Sequence, residues 1–203
     1  MQYIRLKEYL KDFTVFSLGD IKKLDRDFHR RRLNEWQDKG YINKVVKGYY
    51  IFSDLELNEN ILFEIANRIY APSYISFEMA LSYYHLIPES VYHITSATSR
   101  RTYKFATKIG SFNYRTVNPK IFFGYDIISH GGKHFKIASI EKAVIDYFYL
   151  NPQIKEEKDF SSLRFGKKVF LKKANHKKLK AFLKRIGKKS LSERLASFLD
   201  SLN

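Results

Sequence analysis

Side chains that could read DNA bases are concentrated in the segment 26–37. An arginine fork matches guanine, and an asparagine or glutamine amide matches adenine, each through two hydrogen bonds. At about 100° per residue, Phe28, Leu33 and Trp36 fall on one side of a helix. The other side carries Arg30, Arg31, Asn34 and Gln37, with Arg26 at the margin. The spacing predicts a helix over 27–39 with an apolar inner face and an outer face that could contact base edges.

Lysines that could contact phosphate flank this predicted helix. Lys22 and Lys23 precede it, and Lys44 and Lys47 follow it. Gly40 is expected to end the helix, because glycine tolerates the left-handed turn found there. Alternating strands over 41–46 and 49–52 would then form a hairpin with Lys47 at its tip, where a cation could meet the DNA backbone.

The order of elements in 17–52 is typical of a winged helix-turn-helix that reads DNA. Ser17 is predicted to cap a short helix, with Asp20 approximating a capping box and Ile21 and Leu24 facing inward. A helix over Met1–Asp12 would complete this unit.

Other interpretations of the basic helix remain open at the level of sequence. Charge runs such as 30–32 are usually solvated helix faces, and a winged helix can also serve only for protein contact. Two neighbouring side chains are expected to be structural. Arg32 should cover the core with its aliphatic stem, and His29 should pack.

The composition excludes several classes of protein. The chain has 203 residues, 17 Phe, 15 Tyr and no Cys, with a formal net charge of +16. It has enough apolar residues for a core, and it cannot use disulfides or thiol chemistry. We find no secretion signal and no membrane-spanning stretch, so we expect a cytoplasmic protein without membrane contact. Its length favours two domains, residues 1–56 and 57–203.

The strongest positive field is predicted for the C-terminal quarter of the chain. Residues 151–203 hold 15 Lys or Arg against 5 Asp or Glu. A charged, mobile link is expected after Asn151-Pro152, followed by helices over 175–187 and from Ser190 onward. Such a field would attract nucleic acid or an acidic protein surface without sequence preference.

Residues 57–150 predict a small sheet with helices before and after it. Asn58 and Ser76 are expected to cap helices, and Ile140–Leu150 should form another. Extended segments are predicted over 91–98, 102–107, 112–117, 121–128 and 135–138. The fold class is therefore α+β: an N-terminal winged helix-turn-helix, a mixed α/β domain with a small sheet, and a basic helical C-terminal tail.

Residues suited to catalysis or to cofactor binding are few. His130 and His134 flank a Gly-Gly-Lys sequence that a hairpin turn explains better than a metal does. His85 and His93 lie among apolar neighbours and should be buried. Glu141 is better explained by the helix dipole than as a general base. We predict no catalytic residue, no metal and no cofactor.

A set of sequence signals spans residues 17–150. They are Lys39-Gly40-Tyr41-Ile42, Lys47-Gly48-Tyr49-Tyr50, Ser73–Leu81, Leu86-Ile87-Pro88-Glu89, Val91-Tyr92, Thr95, Thr98, Arg100, Phe105, Gly110, Phe112, Tyr114, Ile137-Ala138-Ser139 and Glu141-Lys142-Ala143. In these short segments and single positions the sequence resembles that of AbiEi-type antitoxins, which are the transcription-regulator half of abortive-infection AbiE toxin–antitoxin pairs. The tail matches that family only in being helical and positive.

The resemblance implies a phage-defence protein with two activities and no catalysis. The N-terminal domain would repress its own operon at inverted repeats in double-stranded DNA, bound as monomers or as a dimer. The remainder would neutralise a cognate nucleotidyltransferase toxin without a stable complex. The resemblance also implies which residues contact DNA: Lys22, Lys23, Arg26, Arg30, Arg31, Asn34, Lys44 and Lys47. Gln37 is a further candidate because it lies on the outer face of the predicted helix.

For antitoxicity the family offers no motif, so candidates are chosen from charge alone. They are Arg100, Arg101, Lys177, Lys178, Lys180, Lys184 and Arg185. The two arginines either line a positive groove or form an exposed turn. Alternative functions are a transcriptional regulator whose second domain senses a ligand or partner, and an RNA-binding accessory protein that works through the tail.

Overall fold

The computed structural model describes residues 1–89 and 91–202. Within these residues lie ten α-helices, a three-stranded antiparallel sheet near the N-terminus and a six-stranded mixed sheet. The fold is therefore mixed α+β with a helical C-terminal region. None of the helices in the described ranges combines the length and the apolar character needed to cross a bilayer.

The N-terminal part folds around a small core of its own. Its elements are α1 (Tyr3–Leu10), β1 (Phe16–Ser17), α2 (Leu18–Leu24), α3 (Arg31–Asp38), β2 (Ile42–Val46) and β3 (Tyr49–Phe52). The strands pair antiparallel in the order β1-β3-β2. The core consists of Leu6, Leu10, Phe16, Ile21, Phe28, Leu33, Trp36, Ile42, Tyr50 and Phe52.

Several local predictions for this part are confirmed and others are wrong. The predicted hairpin matches β2 and β3, and Gly40 follows α3 with a φ of +70°. However, α3 starts at Arg31 rather than at Asp27, because the chain first makes a turn that buries Phe28. Leu24 is 44% exposed and His29 is exposed, so neither packs inward as expected.

The larger sheet forms from six strands and is covered by helices. The elements are α4 (Glu59–Ile69), β4 (Ser73–Ile75), α5 (Phe77–Tyr83), β5 (His93–Thr98), β6 (Tyr103–Thr107), β7 (Gly110–Thr116), β8 (Tyr125–His130), β9 (Lys133–Ala138) and α6 (Ile140–Leu150), with a 3₁₀ turn at Pro119–Ile121. The strand order is β6-β7-β5-β4-β9-β8, parallel at β5/β7 and at β4/β9.

Alternation of side chains explains how this sheet forms. Phe112 and Tyr114 point into the core, while Asn113 and Arg115, which alternate with them, are only half-buried. Strands β5 to β9 overlap the predicted extended segments, and α6 has the predicted bounds. The sheet is larger than the small sheet expected, since β4 joins β5 to β9.

The described C-terminal region contains four helices. They are α7 (Glu157–Ser162), α8 (Lys167–Lys173), α9 (His176–Ile186) and α10 (Lys189–Ser201). Two of them, α7 and α8, lie in the segment after Pro152 where the sequence predicted a charged link. Phe160 and Phe170 are buried, and Phe198 packs on Phe148 of α6 with ring centroids 4.9 Å apart. Arg194 also donates to the Phe148 and Ile154 carbonyls at 2.9 and 3.0 Å. The tail is therefore anchored to the main core.

Candidate nucleic-acid interface

Helix α2 is held at its start by a reciprocal capping box. The Ser17 N–H donates to Asp20 Oδ2 at 2.9 Å, and the Asp20 N–H donates to Ser17 Oγ at 3.2 Å. Asp20 also pairs with Arg68 of α4 at 3.0 Å. Burial alone would raise the pKa of Asp20, but the bonds from Ser17 and Arg68 outweigh it and leave that pKa below its usual value. One carboxylate thus positions α2 and joins it to α4.

Helix α3 is anchored from below by aromatic packing. Trp36 lies on Phe28 and Tyr3 with ring centroids 5.4 and 5.8 Å apart, and Leu33 is buried beside it. Arg32 is half-buried and donates to the Met1 carbonyl, as expected of a side chain whose stem covers the core. This packing directs the opposite face of α3 to solvent.

The outward face of α3 carries the predicted base-reading side chains. Arg31 and Asn34 are exposed there, and so is Arg30, which immediately precedes the helix. Arg31 Nε lies 3.8 Å from Glu35, a loose surface contact between side chains that are 90% and 53% exposed. Gln37 differs from the others, because it is half-buried and its Nε2 donates to the Leu33 carbonyl at 3.0 Å. Three of the four polar side chains on this face are thus available to a ligand.

Cations flank this face on both sides. Lys44 on β2 and Lys47 at the hairpin tip are exposed, and Gly48 completes the turn with a φ of +89°. Lys22, Lys23 and Arg26, from α2 and the turn after it, are also exposed. Because α3 contacts β2, the hairpin lies next to this helix. Within their own helices, Lys23 lies 3.8 Å from Asp20 and Arg31 lies 3.8 Å from Glu35, whereas Gln37 donates to a backbone carbonyl.

Arg100 and Arg101 are held by aromatic rings at one edge of the larger sheet. Arg100 lies 4.4 Å over the Tyr70 ring and donates to the Ala71 carbonyl at 3.1 Å. Arg101 lies 6.0 Å from Tyr103, which stacks on Tyr70. These arginines belong to an exposed turn with specific packing partners.

The predicted cations of α9 fall into two groups. Lys178 pairs with Glu141 at 3.4 Å, and Arg185 lies 3.9 Å over the Phe123 ring, so both help to attach α9. Lys177, Lys180 and Lys184 are exposed and have no ion-pair or ring partner within the described part of the chain. Only this second group offers unengaged charge.

A buried polar network was not foreseen from the sequence. Lys142 and Asp146 form a fully buried ion pair, and the Tyr74 hydroxyl accepts from Lys142 at 2.9 Å and donates to Asp146 at 2.8 Å. Ser76 also donates to Asp146, at 2.8 Å. Burial lowers the pKa of Lys142, against the opposing effect of Asp146, and raises that of Tyr74 well above its usual value. All four side chains are closed off from solvent, and their hydrogen bonds connect α6 to β4 and to Ser76 just after it.

Glu141 likewise makes structural contacts. Its carboxylate accepts from the Asn175 N–H and from Ser139 Oγ, both at 2.8 Å. Burial alone would raise the pKa of Glu141, but these hydrogen bonds and nearby Lys178 lower it. The carboxylate holds the start of α9 against α6.

The histidines lie in different surroundings from those expected. His85 and His93 are exposed rather than buried. His130 and His134 lie at the ends of β8 and β9, which pair across a Gly131-Gly132 turn. Across residues 1–89 and 91–202, no group of three or more His, Asp or Glu side chains is arranged to hold a metal ion.

Comparison of the chain with known protein families and with curated proteins gave no match.

Proposed function

We propose that this chain is an AbiEi-type antitoxin that represses its own operon through a winged helix-turn-helix over residues 1–56. One observation carries the proposal: Arg31 and Asn34 on α3, and Arg30 immediately before it, are exposed, while Trp36 anchors the other face of the helix. The hairpin with Lys47 at its tip lies next to α3. In such a unit α3 would enter the major groove and the hairpin would follow the phosphate backbone.

Each side chain receives a role from its geometry. Arg30 and Asn34 would contact bases, because the Arg30 guanidinium and the Asn34 amide are exposed to solvent. Lys22, Lys23, Arg26, Arg31, Lys44 and Lys47 would contact phosphates and supply most of the affinity. Gln37 already donates one amide N–H to the Leu33 carbonyl and would have to release it before the amide could turn toward a base. Inverted repeats would place two copies on one DNA site.

Residues 57–203 would supply antitoxicity against a nucleotidyltransferase toxin, without catalysis, cofactor or stable complex. Support for this half comes from the sequence resemblance and from the unengaged lysines of α9.

Binding of duplex DNA tests the repressor half. We expect Arg30→Ala to weaken binding to the promoter DNA of its own operon by about 1–3 kcal/mol and to relax base preference. Lys47→Ala should weaken binding to that promoter and to random duplex alike and should reduce the salt slope by about 1. Fluorescence anisotropy at several salt concentrations measures both quantities.

Lys172→Ala is the matched control, because it removes one exposed positive charge from α8, outside the N-terminal unit. It should leave the ratio of promoter to random affinity unchanged. If Arg30→Ala and Lys47→Ala both lose the same affinity on promoter and random DNA, the division into base and phosphate contacts is wrong.

Co-expression with the neighbouring gene tests the antitoxin half. The full chain carrying Arg30→Ala and Asn34→Ala should lose repression and still protect cells from that gene product. If the neighbouring gene is harmless, the plain transcriptional regulator becomes the better interpretation. RNA affinity that depends on the tail, without protection, would favour the RNA-binding accessory protein.

A further inference from the structure

The two edge strands of the larger sheet, β6 and β8, differ in how they are protected. An edge strand presents a row of backbone N–H and C=O groups that can pair with another chain, and proteins commonly block such edges with lysines, prolines or bulges. On β6 the exposed side chain of Lys104 provides this protection, and the exposed Arg101 and Lys108 lie just outside the ends of the strand. The β6 edge is therefore guarded by positive charge.

Strand β8 carries none of these protective features. Its sequence, YDIISH, contains no Lys, Arg or Pro. It pairs with β9 in an unbroken register from Tyr125–Ala138 to His130–Lys133, so no bulge interrupts it. A regular six-residue strand without protection therefore forms this edge of the sheet.

The outer side of β8 is accessible. In the described part of the chain β8 pairs with β9 alone, and the backbone hydrogen bonds made by turns and loops there include none with residues 125–130. Asp126, Ser129 and His130 are exposed, and the apolar side chain of Ile127 is 60% exposed. The strand thus offers both free backbone groups and apolar surface to a further strand.

The order of residues makes β8 complementary to a second copy of itself. In a two-fold antiparallel pair, directly opposed residues lie on the same face of the sheet, and every contact occurs twice. A register centred on Ile128 places Asp126 opposite His130 of the second copy, and Ile127 opposite Ser129. Ile128 then lies opposite its own copy, at the centre of the pair.

Charge complementarity favours this register over its neighbours. Asp126 is 50% exposed, and its nearest cation, Lys178 Nζ, lies 4.0 Å away, so the carboxylate can accept a further hydrogen bond. An imidazole N–H of His130 is a suitable donor. A register centred on Ile127 would instead place Asp126 opposite Ile128, a carboxylate against an apolar side chain.

We propose that β8 pairs antiparallel with β8 of a second copy of this chain and joins the two larger sheets into one continuous sheet. The backbone hydrogen bonds supply affinity, and the Asp126–His130 pairs fix the register. Repulsion between two chains of net charge +16 opposes the pairing, but salt at about 0.15 M screens charges beyond about 8 Å. We expect a Kd of about 1–100 μM, because a five-residue strand pair is smaller than a standard interface.

Sedimentation velocity of the full chain over a range of concentrations tests the pairing. Ile127→Lys places on β8 the kind of side chain that protects edge strands, so the Kd of the dimer should rise about tenfold or more. Ala106→Lys is the matched control, because it adds the same charge at an exposed position of the opposite edge strand, β6. It should leave the Kd unchanged. Thermal unfolding verifies that both variants fold.

Disulfide cross-linking tests the register, since the natural chain has no cysteine. Directly opposed residues of antiparallel strands have Cα atoms about 4.5–5.5 Å apart, which suits a disulfide. Ile128→Cys should therefore form a covalent dimer in oxidised glutathione. Ser129→Cys should form no more dimer than Ala106→Cys, which measures random collisions. A mixture of Ile127→Cys and Ser129→Cys chains should form a dimer that neither variant forms alone.

Three results would overturn the proposal. The first is a wild-type chain that stays monomeric at concentrations well above the expected Kd, which would leave this edge to a different partner or to none. The second is an Ile127→Lys variant whose Kd equals that of wild type or of Ala106→Lys. The third is a Ser129→Cys variant that cross-links as fast as Ile128→Cys. These measurements contain no DNA, so their outcome does not depend on the repressor proposal.

Discussion

At the scale of single residues, Asp20 connects more elements than its position in a short helix suggests. It accepts from Ser17 at the start of α2 and pairs with Arg68 on α4. Its pKa is lowered because these donors stabilise the charged form more than burial destabilises it. The charged form is therefore part of what stabilises the fold.

The lowered pKa predicts how stability changes with pH. A carboxylate whose pKa is lower in the folded than in the unfolded chain contributes stability above its unfolded value of about 3.9 and loses it as pH falls through the folded value. Asp20→Asn should therefore reduce the free energy of unfolding at pH 7, and the gap to wild type should narrow below about pH 4. Urea unfolding at a series of pH values measures the gap.

The control for this series is Asp38→Asn, which changes an exposed carboxylate at the end of α3. It should alter stability by less than about 0.5 kcal/mol. A gap for Asp20→Asn that widens on acidification would contradict the direction of the pKa shift.

At the scale of elements, the approach of α9 to the sheet depends on a glycine. Gly124 has a φ of +77°, and a Cβ added there would lie 2.9 Å from the Phe182 ring and 3.2 Å from Lys142 Cδ. Phe182 packs on Phe123 with ring centroids 5.2 Å apart. A side chain at this position would push α9 away from its partners.

Gly124→Ala and Gly132→Ala form a matched pair that isolates this steric effect. Gly132 has a φ of +78°, and nothing described lies within 4 Å of its added Cβ. Gly132→Ala should lower the free energy of unfolding by about 1–2 kcal/mol, because alanine is strained in the left-handed backbone conformation. Gly124→Ala should cost about 1–3 kcal/mol more, because Phe182 must move. Chemical denaturation measures both variants. An equal loss of unfolding free energy in the two would show that Phe182 and α9 can move to accommodate the Cβ without strain.

The sequence predicted elements whose signals are local. The hairpin of β2 and β3 and the helices α6 and α9 follow from turn residues and from apolar spacing along one segment. The two-residue strand β1 was missed because it exists only through its pairing with β3. Helices α7 and α8 were missed because charged residues surround their single buried residues, Phe160 and Phe170.

Exposure of the candidate site was easier to predict than burial of polar side chains. Arg31 and Asn34 are exposed as expected, since helical periodicity places them opposite Leu33 and Trp36, and Arg30 is exposed in the turn before the helix. The Lys142–Asp146 pair has the i, i+4 spacing of an ordinary surface pair. Nothing in that spacing reveals that β4 covers it, because burial depends on contacts between distant segments.

At the scale of the whole molecule, the N-terminal part is joined to the larger sheet by both apolar and polar contacts. The N-terminal part has a small core of its own, but the core of the larger sheet also includes three of its buried residues, Val15, Val45 and Ile51. Thr14–Glu64 and Asp20–Arg68 add polar contacts at 2.5 and 3.0 Å between the N-terminal part and α4. Most of the excess positive charge lies far along the chain from α3, in residues 151–203.

That distribution of charge predicts separable activities. Reversing the unengaged lysines of α9 (Lys177→Glu, Lys180→Glu and Lys184→Glu) should abolish protection if these lysines contact the RNA that the toxin modifies. Repression of a promoter reporter should stay unchanged, because α3 and the hairpin are untouched. Survival on co-expression and reporter output measure the two activities in the same cells.

Lys104→Glu, Lys108→Glu and Lys120→Glu together make the same change in net charge at exposed positions outside the tail. This triple variant should retain protection. Undiminished protection in the α9 variant would end the idea that its lysines act on RNA.

The Lys142, Asp146 and Tyr74 network also constrains how the interior can change over evolutionary time. Removing Lys142 or Asp146 alone leaves a buried charge without its counterpart, which costs about 3–5 kcal/mol, whereas exchanging the whole network for apolar residues of similar size can be neutral. Single substitutions here are therefore selected against although the joint replacement is tolerated. Homologous chains should carry these three residues together or have lost all of them.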